Sequence, residues 1–282
     1  MLTIGQLTNT GAKWFDYVGR YNLTSTHLPE LIQMMNDTAL YQGEMEDAKS
    51  WAPIHAWRAI AQLQDSAALP AIVAYLRDVN PDDDWFLEDF PHLFTLFGPA
   101  SLPYCASFLA ETGLDYEWGQ IAITEALKQL GQEYPETRDE CVAIMVEALG
   151  RYREQADTLN TYLILNLVEF KAVEAAGLIE EVFAAELADD TVMGDWQDVQ
   201  IELGLLDKRT SPPRQTKYQA QRDKVRAALD NFIQTQRGVS SSSESDEELE
   251  PTDPEEPNQR QRLHEIAKKK KAKAAKKKKR RK

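Results

Sequence analysis

The sequence is poor in the residues on which metal, redox and phosphate chemistry depend. Only two cysteines occur, Cys105 and Cys141, and each sits in an apolar-periodic segment, so both read as small core hydrophobes rather than a redox or metal pair. The four histidines, His27, His55, His92 and His264, show neither an HExxH nor a Cys/His ligand spacing. His55 and His92 fall near the starts of equivalent helices, where a hydrogen bond joining repeats is the expected role. No glycine-rich phosphate loop, dinucleotide fingerprint or serine elbow is present. No basic-then-apolar leader opens the chain and no apolar run is long enough to cross a bilayer, which makes a cytoplasmic location the default expectation. The expected cofactor and metal complement is therefore none, and a non-enzymatic role is favoured.

What is abundant is charge, and it is segregated. The net charge of −14 hides an acidic body, residues 1–239, with 18 basic and 37 acidic side chains. Residues 240–258 add eight acids and no base, whereas residues 259–282 carry 14 Lys/Arg against the single Glu265. A negative body joined to a positive tail has two separate sets of partners, and the overall pI describes neither.

Within the body, apolar residues recur at three- and four-residue spacing from Trp51 to Phe183, as in Trp57, Ile60, Ala61 and Leu63, then Leu69, Ile72, Val73 and Leu76. That is the period of an amphipathic helix, and no comparable stretch alternates as a strand would. The pattern also repeats at longer range. Ala67-Ala68-Leu69-Pro70 matches Ala100-Ser101-Leu102-Pro103 at an offset of 33, and at the same offset Ile60 and Leu63 fall on Leu93 and Leu96. A third unit opens with Ile121, Ala122, Ala126, Leu127 and Leu130 and continues after Tyr134-Pro135 with a helix from Cys141 to Leu149. A fourth runs from Leu159 through Leu167, then from Ala172 to Phe183. Two helices that cannot bury their stripes alone are completed by the next pair, which predicts an all-α, HEAT-like helical-repeat solenoid. Pro70 and Pro103 fall in the first turn of second helices, where no hydrogen bond is lost.

Thr26 is placed to cap a helix through Pro29, Leu31, Ile32, Met35 and Leu40, which closes the first face of the stack. Asp195 to Gly204 reads as a short helix with a glycine stop, and Lys217 to Phe232 as a further charged helix. The expected organisation is capping helices over 1–50, repeats over 51–206, a helical extension over 207–239, an acidic linker over 240–258 and a basic tail over 259–282.

The spacing and the Ala-Leu-Pro element resemble HEAT-like repeats of the phycobilisome-lyase type. Residues 51–206 also resemble a bacterial HEAT-like family of unknown function, on Ile54-His55-Ala56-Trp57, Asp83-Asp84-Trp85-Phe86-Leu87-Glu88-Asp89-Phe90 and Met193-Gly194-Asp195-Trp196-Gln197-Asp198-Val199. Some members of that family end in a zinc-binding tail of the SEC-C type. With no cysteine after Cys141, that module is absent here and a lysine tail stands in its place. The resemblance carries a fold but no agreed activity. Its phycobilisome side implies an alternative, a chromophore lyase or chaperone, which needs a concave pocket lined by some of Trp57, Trp85, Phe90 and Trp118.

Asp82-Asp83-Asp84 with Glu88 and Asp89 forms the densest acidic group of the body. Carboxylates a helical turn apart suit a hard cation, but the stretch lacks the alternating ligands and pivot glycine of a calcium hand. It reads as a solvated, partner-facing acidic turn built on Asp83, Asp84, Trp85 and Glu88. Asp195, Trp196 and Asp198 make a second partner-facing candidate, with Asp195, Asp198 and Glu202 as a surface carboxylate row.

Ser240–Ser243 and Ser245 run into Asp246-Glu247-Glu248 and then Pro251, Pro254 and Pro257, a composition that cannot repay the entropy of ordering. The acids after Ser243 and Ser245 suit an acid-directed kinase, but a solubilising tether is the simpler reading. In the tail, Lys268, Lys269, Lys270, Lys271, Lys273, Lys276, Lys277, Lys278, Lys279, Arg280, Arg281 and Lys282 are the polyanion-binding candidates. The tail has no aromatic side chain to stack on bases, so any nucleic-acid binding should run through phosphates without sequence preference. The expected function is a non-catalytic scaffold or adaptor, whose body binds an unidentified protein and whose tail binds RNA, DNA, the ribosome or another polyanion.

Overall fold

A computed structural model describes residues 1–6, 14–40, 47–77, 85–113, 117–213 and 220–229. Every regular element among the described residues is helical, and none is long and apolar enough to cross a membrane. The chain forms two compact units, residues 1–182 and 183–282.

The first unit opens with α1 (Tyr17–Tyr21) and α2 (Leu28–Met35). Four helix pairs follow: α3 (Ala52–Leu63) with α4 (Leu69–Arg77), α5 (Trp85–Phe97) with α6 (Leu102–Leu109), α7 (Trp118–Glu133) with α8 (Arg138–Leu149), and α9 (Asp157–Glu169) with α10 (Ala176–Ala184). In each pair the second helix is entered through a 3-10 turn, at Ser66–Ala68, Gly98–Ser101, Pro135–Thr137 and Val173–Ala175. Pro70 and Pro103 occupy the second position of α4 and α6, where their missing N–H has no acceptor to lose. Pro91 lies inside α5 and removes one donor there.

Packing follows the pairing. First helices contact first helices, α3 on α5, α5 on α7 and α7 on α9, while α4 contacts α6 and α6 contacts α8. The core lies between these rows and contains Trp57, Ile60, Leu69, Phe90, Leu93, Phe108, Leu127, Leu130 and Leu163, all but closed to solvent. At one point the rows approach so closely that only glycine fits: a Cβ on Gly119 would lie 2.6 Å from the Leu76 carbonyl oxygen. Both cysteines are buried, and burial raises the pKa of both thiols.

Part of the acidic excess serves helix ends. Asp16, Asp47 and Asp65 cap helical turns in the first unit, and Asp189 and Asp195 do so in the second, each accepting from a backbone N–H that has no helical partner. Before α2, the cap is Thr24 rather than Thr26, because a 3-10 turn over Ser25–His27 precedes the α-helix and moves the start two residues back. The helix also ends at Met35, short of Leu40, and packs on α3. In the second unit, α11 (Asp190–Met193) and α12 (Trp196–Glu202) are short, and the chain leaves α12 through Gly204 at φ +75°. Residues 220–229 form a separate helical segment.

Candidate functional site

The polar chemistry of the first unit concentrates on one face of α3. From Ala52 to Ala61 every residue of this helix is buried. His55, Arg58 and Gln62 are spaced by three and four residues, which puts them on one face. That face holds the N-terminal segment by its main chain. The Gln62 side-chain amide donates to the Phe15 carbonyl (2.8 Å) and accepts from the Tyr17 N–H (2.9 Å), clamping the main chain on both sides of Asp16, the N-cap of α1. His55 Nε2 lies 2.8 Å from the Gly5 carbonyl oxygen and Nδ1 lies 2.7 Å from the Tyr17 hydroxyl. A carbonyl can only accept, so Nε2 carries the proton and the neutral ring accepts from the Tyr17 O–H at Nδ1.

Arg58 is wholly buried against α5. Its Nε and Nη2 donate to the Asp89 carboxylate at 2.6 and 2.9 Å, and the Trp57 indole N–H donates to the same carboxylate at 2.7 Å. Asp89 is 1% exposed and Arg58 0%. The guanidinium carbon lies 5.4 Å from the Trp14 ring centre and 5.8 Å from that of Trp85, so aromatic faces replace the lost hydration. Trp14 in turn meets His92 edge-on, with centroids 4.8 Å apart. Nη1 of Arg58 is buried without a hydrogen-bond partner.

Burial sets the protonation states. Desolvation holds the His55 imidazole below its usual value, the hydrogen bond to Gly5 opposes this, and the Arg58 charge adds to the depression. Desolvation pushes the Tyr17 phenol upward, with Arg58 pulling the other way. His55 is thus a neutral ring with both nitrogens engaged, and neither is free to take a proton from a substrate. What the face does chemically is hold main chain. A second polar junction lies between α7 and α9, where Asn166 donates to Thr124 (3.0 Å) and the Lys128 ammonium sits between Glu125 (2.7 Å) and Glu169 (3.1 Å).

The sequence candidates are placed unevenly. Asp83 and Asp84 lie outside the described residues, as do all the polyanion-binding candidates from Lys268 to Lys282. Glu88, in the first turn of α5, is exposed, and Trp85 is half-buried, edge-on to Trp51 at 5.4 Å. Asp89, read as part of the solvated acidic group, is instead the buried counterion of Arg58; α5 turns it inward towards α3. In the second unit Asp195 caps α12 and, with Asp198, binds Arg209, with Arg209 Nη2 2.6 Å from Asp195 Oδ2. These two carboxylates fasten the loop after α12, and Trp196 lies half-buried with its ring 6.2 Å from that of Phe183. Of the aromatics considered for a chromophore pocket, Trp57, Phe90 and Trp118 are buried. The expected hydrogen bond at His55 exists, but it reaches the N-terminal segment instead of a neighbouring repeat. Sequence reasoning missed Arg58; the signal was a lone guanidinium among ten residues with no other charge. Among the described residues, no three His, Cys, Asp or Glu side chains gather as a metal site.

Site and fold together define an all-α protein with a backbone-holding helix face. No family model, curated protein or solved structure matches the chain.

Proposed function

We propose that the protein is a non-catalytic scaffold or adaptor, in which a HEAT-like solenoid body binds an extended segment of a protein partner and the basic tail binds RNA, the ribosome or another polyanion. The observation that carries the reading is the Gln62 clamp on Phe15 and Tyr17, together with the His55 bond to Gly5. Side chains on one helix face thereby bind main-chain groups of another segment at Gly5 and at the entry to α1, and the same kind of contact lets a helical-repeat surface hold a peptide without a reactive centre. The regular pairing of α3 with α4 through α9 with α10 supports the solenoid part of the proposal. The tail's 14 Lys/Arg in 24 residues support the polyanion part.

The test is fluorescence anisotropy of the intact chain and of a chain lacking 259–282, on unrelated RNA and DNA sequences across a salt series. If about six cations meet duplex phosphates, log affinity falls against log salt with a slope of about −5. Equal affinity after tail removal overturns the tail's role, and strong preference for one sequence overturns the phosphate-only mechanism. Affinity capture with and without nuclease then separates partners held by the body from those bridged by nucleic acid. A body that retains no protein after nuclease treatment overturns the adaptor reading.

A further inference from the structure

The helical segment over 220–229 differs from the rest of the described chain. All residues from 221 to 229 are exposed, so this helix has no packed face. A helix with no packed face draws little stability from tertiary contacts and gains from a partner surface. Its apolar side chains show where that surface belongs. Val225 and Leu229, 61% and 55% exposed, are more open to solvent than any other exposed large hydrophobic side chain among the described residues, and they lie one turn apart on one stripe. At 3.6 residues per turn, Arg222 and Arg226 border this stripe on one side and Gln221 and Ala228 on the other, while Lys224 and Asp223 both fall towards the far side. The Arg222–Asp223 contact, at 3.8 Å between exposed side chains, leaves the guanidinium free to take another anion.

Charge selects the occupant. Residues 1–206 carry ten basic and 34 acidic side chains, but residues 207–239 carry eight basic and three acidic. Two such helices from two copies would juxtapose Arg222 and Arg226 with their like. Nucleic acid would use the cations but leave Val225 and Leu229 in water. An anionic lipid surface satisfies both, taking the apolar stripe into the acyl boundary and the flanking cations at the headgroups. A polybasic stretch adds attraction to an anionic leaflet, and residues 259–282 carry 14 Lys/Arg.

We propose that residues 220–229 are a membrane-docking helix for anionic bilayers, lying in the interface with Val225 and Leu229 inward. The inference goes beyond the adaptor reading and draws on the tail's charge, not on its ligand. It is tested by co-sedimenting the full chain with phosphatidylcholine vesicles and with vesicles containing about 30% phosphatidylserine. The full chain should sediment with the anionic vesicles and not with the neutral ones. V225D/L229D should weaken that partition by at least about tenfold, V225A/L229A should fall between, and R222Q/R226Q should steepen its loss with salt. Because these positions are exposed, circular dichroism should report unchanged helicity of the body. RNA anisotropy of V225D/L229D should match the intact chain, so loss of RNA binding in the intact chain with vesicle binding retained would strike the tail reading alone. Two results overturn the proposal: anionic-vesicle binding unaffected by V225D/L229D, which would be tail electrostatics only, or no vesicle binding. Self-association in analytical ultracentrifugation that V225D/L229D abolishes would assign the stripe to a second copy and overturn it as well.

Discussion

Asp89→Asn removes one charge of the buried Arg58–Asp89 pair while leaving the side chain's shape. The carboxylate accepts three hydrogen bonds, from Trp57 Nε1 and from Arg58 Nε and Nη2. An asparagine offers one acceptor oxygen and points an NH₂ group at the remaining donors. It also leaves the Arg58 guanidinium, 0% exposed and already with Nη1 unpartnered, without a counterion. Removing one member of a buried pair costs about 3–5 kcal/mol, a large part of the roughly 5–15 kcal/mol that holds a domain together. With a urea m value of about 3 kcal/mol/M, the unfolding midpoint read by tryptophan fluorescence falls by about 1–1.7 M at unchanged m. R58M/D89L should recover at least half of that loss, since no charge is then buried, although the Trp57 indole N–H still loses its acceptor at about 1–3 kcal/mol. A midpoint shift for D89N below about 0.3 M would refute the reasoning, because it would mean that the pair is hydrated in solution.

Gly119→Ala forces a methyl to within 2.6 Å of the Leu76 carbonyl oxygen, with the Phe108 ring 3.1 Å away, so backbone must move. Overpacking of this kind destabilises by about 1–3 kcal/mol, measurable by the same urea titration, and a neutral result would show that α7 does not approach α4 so closely. His55 should titrate below its usual value, with an NMR imidazole midpoint under about 6.5; a midpoint at or above that value would refute its burial. The groups facing it are Tyr17 from α1, Arg58 on its own helix and the chain's amino terminus. Because the folded-state value is depressed, the unfolded chain binds more protons just below the ordinary imidazole value. Stability contributed by the site is therefore present above about pH 6.5 and is lost as pH falls towards the folded-state value. Thermal melts between pH 7.5 and 5 should show this decline, and His55→Gln should flatten it. The half-buried His92, also held down by desolvation, adds a slope of the same sign.

The helical class, the four helix pairs and the segregation of charge were legible in the sequence because each depends on local spacing: apolar residues every three or four positions, prolines in first turns, and runs of like charge. Boundaries shifted by a few residues where 3-10 turns tightened the entry, as at Ser25–His27 and before Arg138. The candidate site was much less legible. Asp89 belongs to an acidic stretch by sequence and to Arg58, 31 residues earlier, by packing. Asp195 and Asp198 look like a solvated row until Arg209 closes on them from 14 and 11 residues away. No periodic pattern encodes such partnerships, because which charge meets which is decided by the distance between helices once their apolar stripes have been buried. The tertiary structure alone likewise decided that His55 and Gln62 would hold the chain's own N-terminal backbone. Sequence determined that a face of α3 would carry polar groups; only the folded arrangement, by excluding water there, determined what those groups would bind.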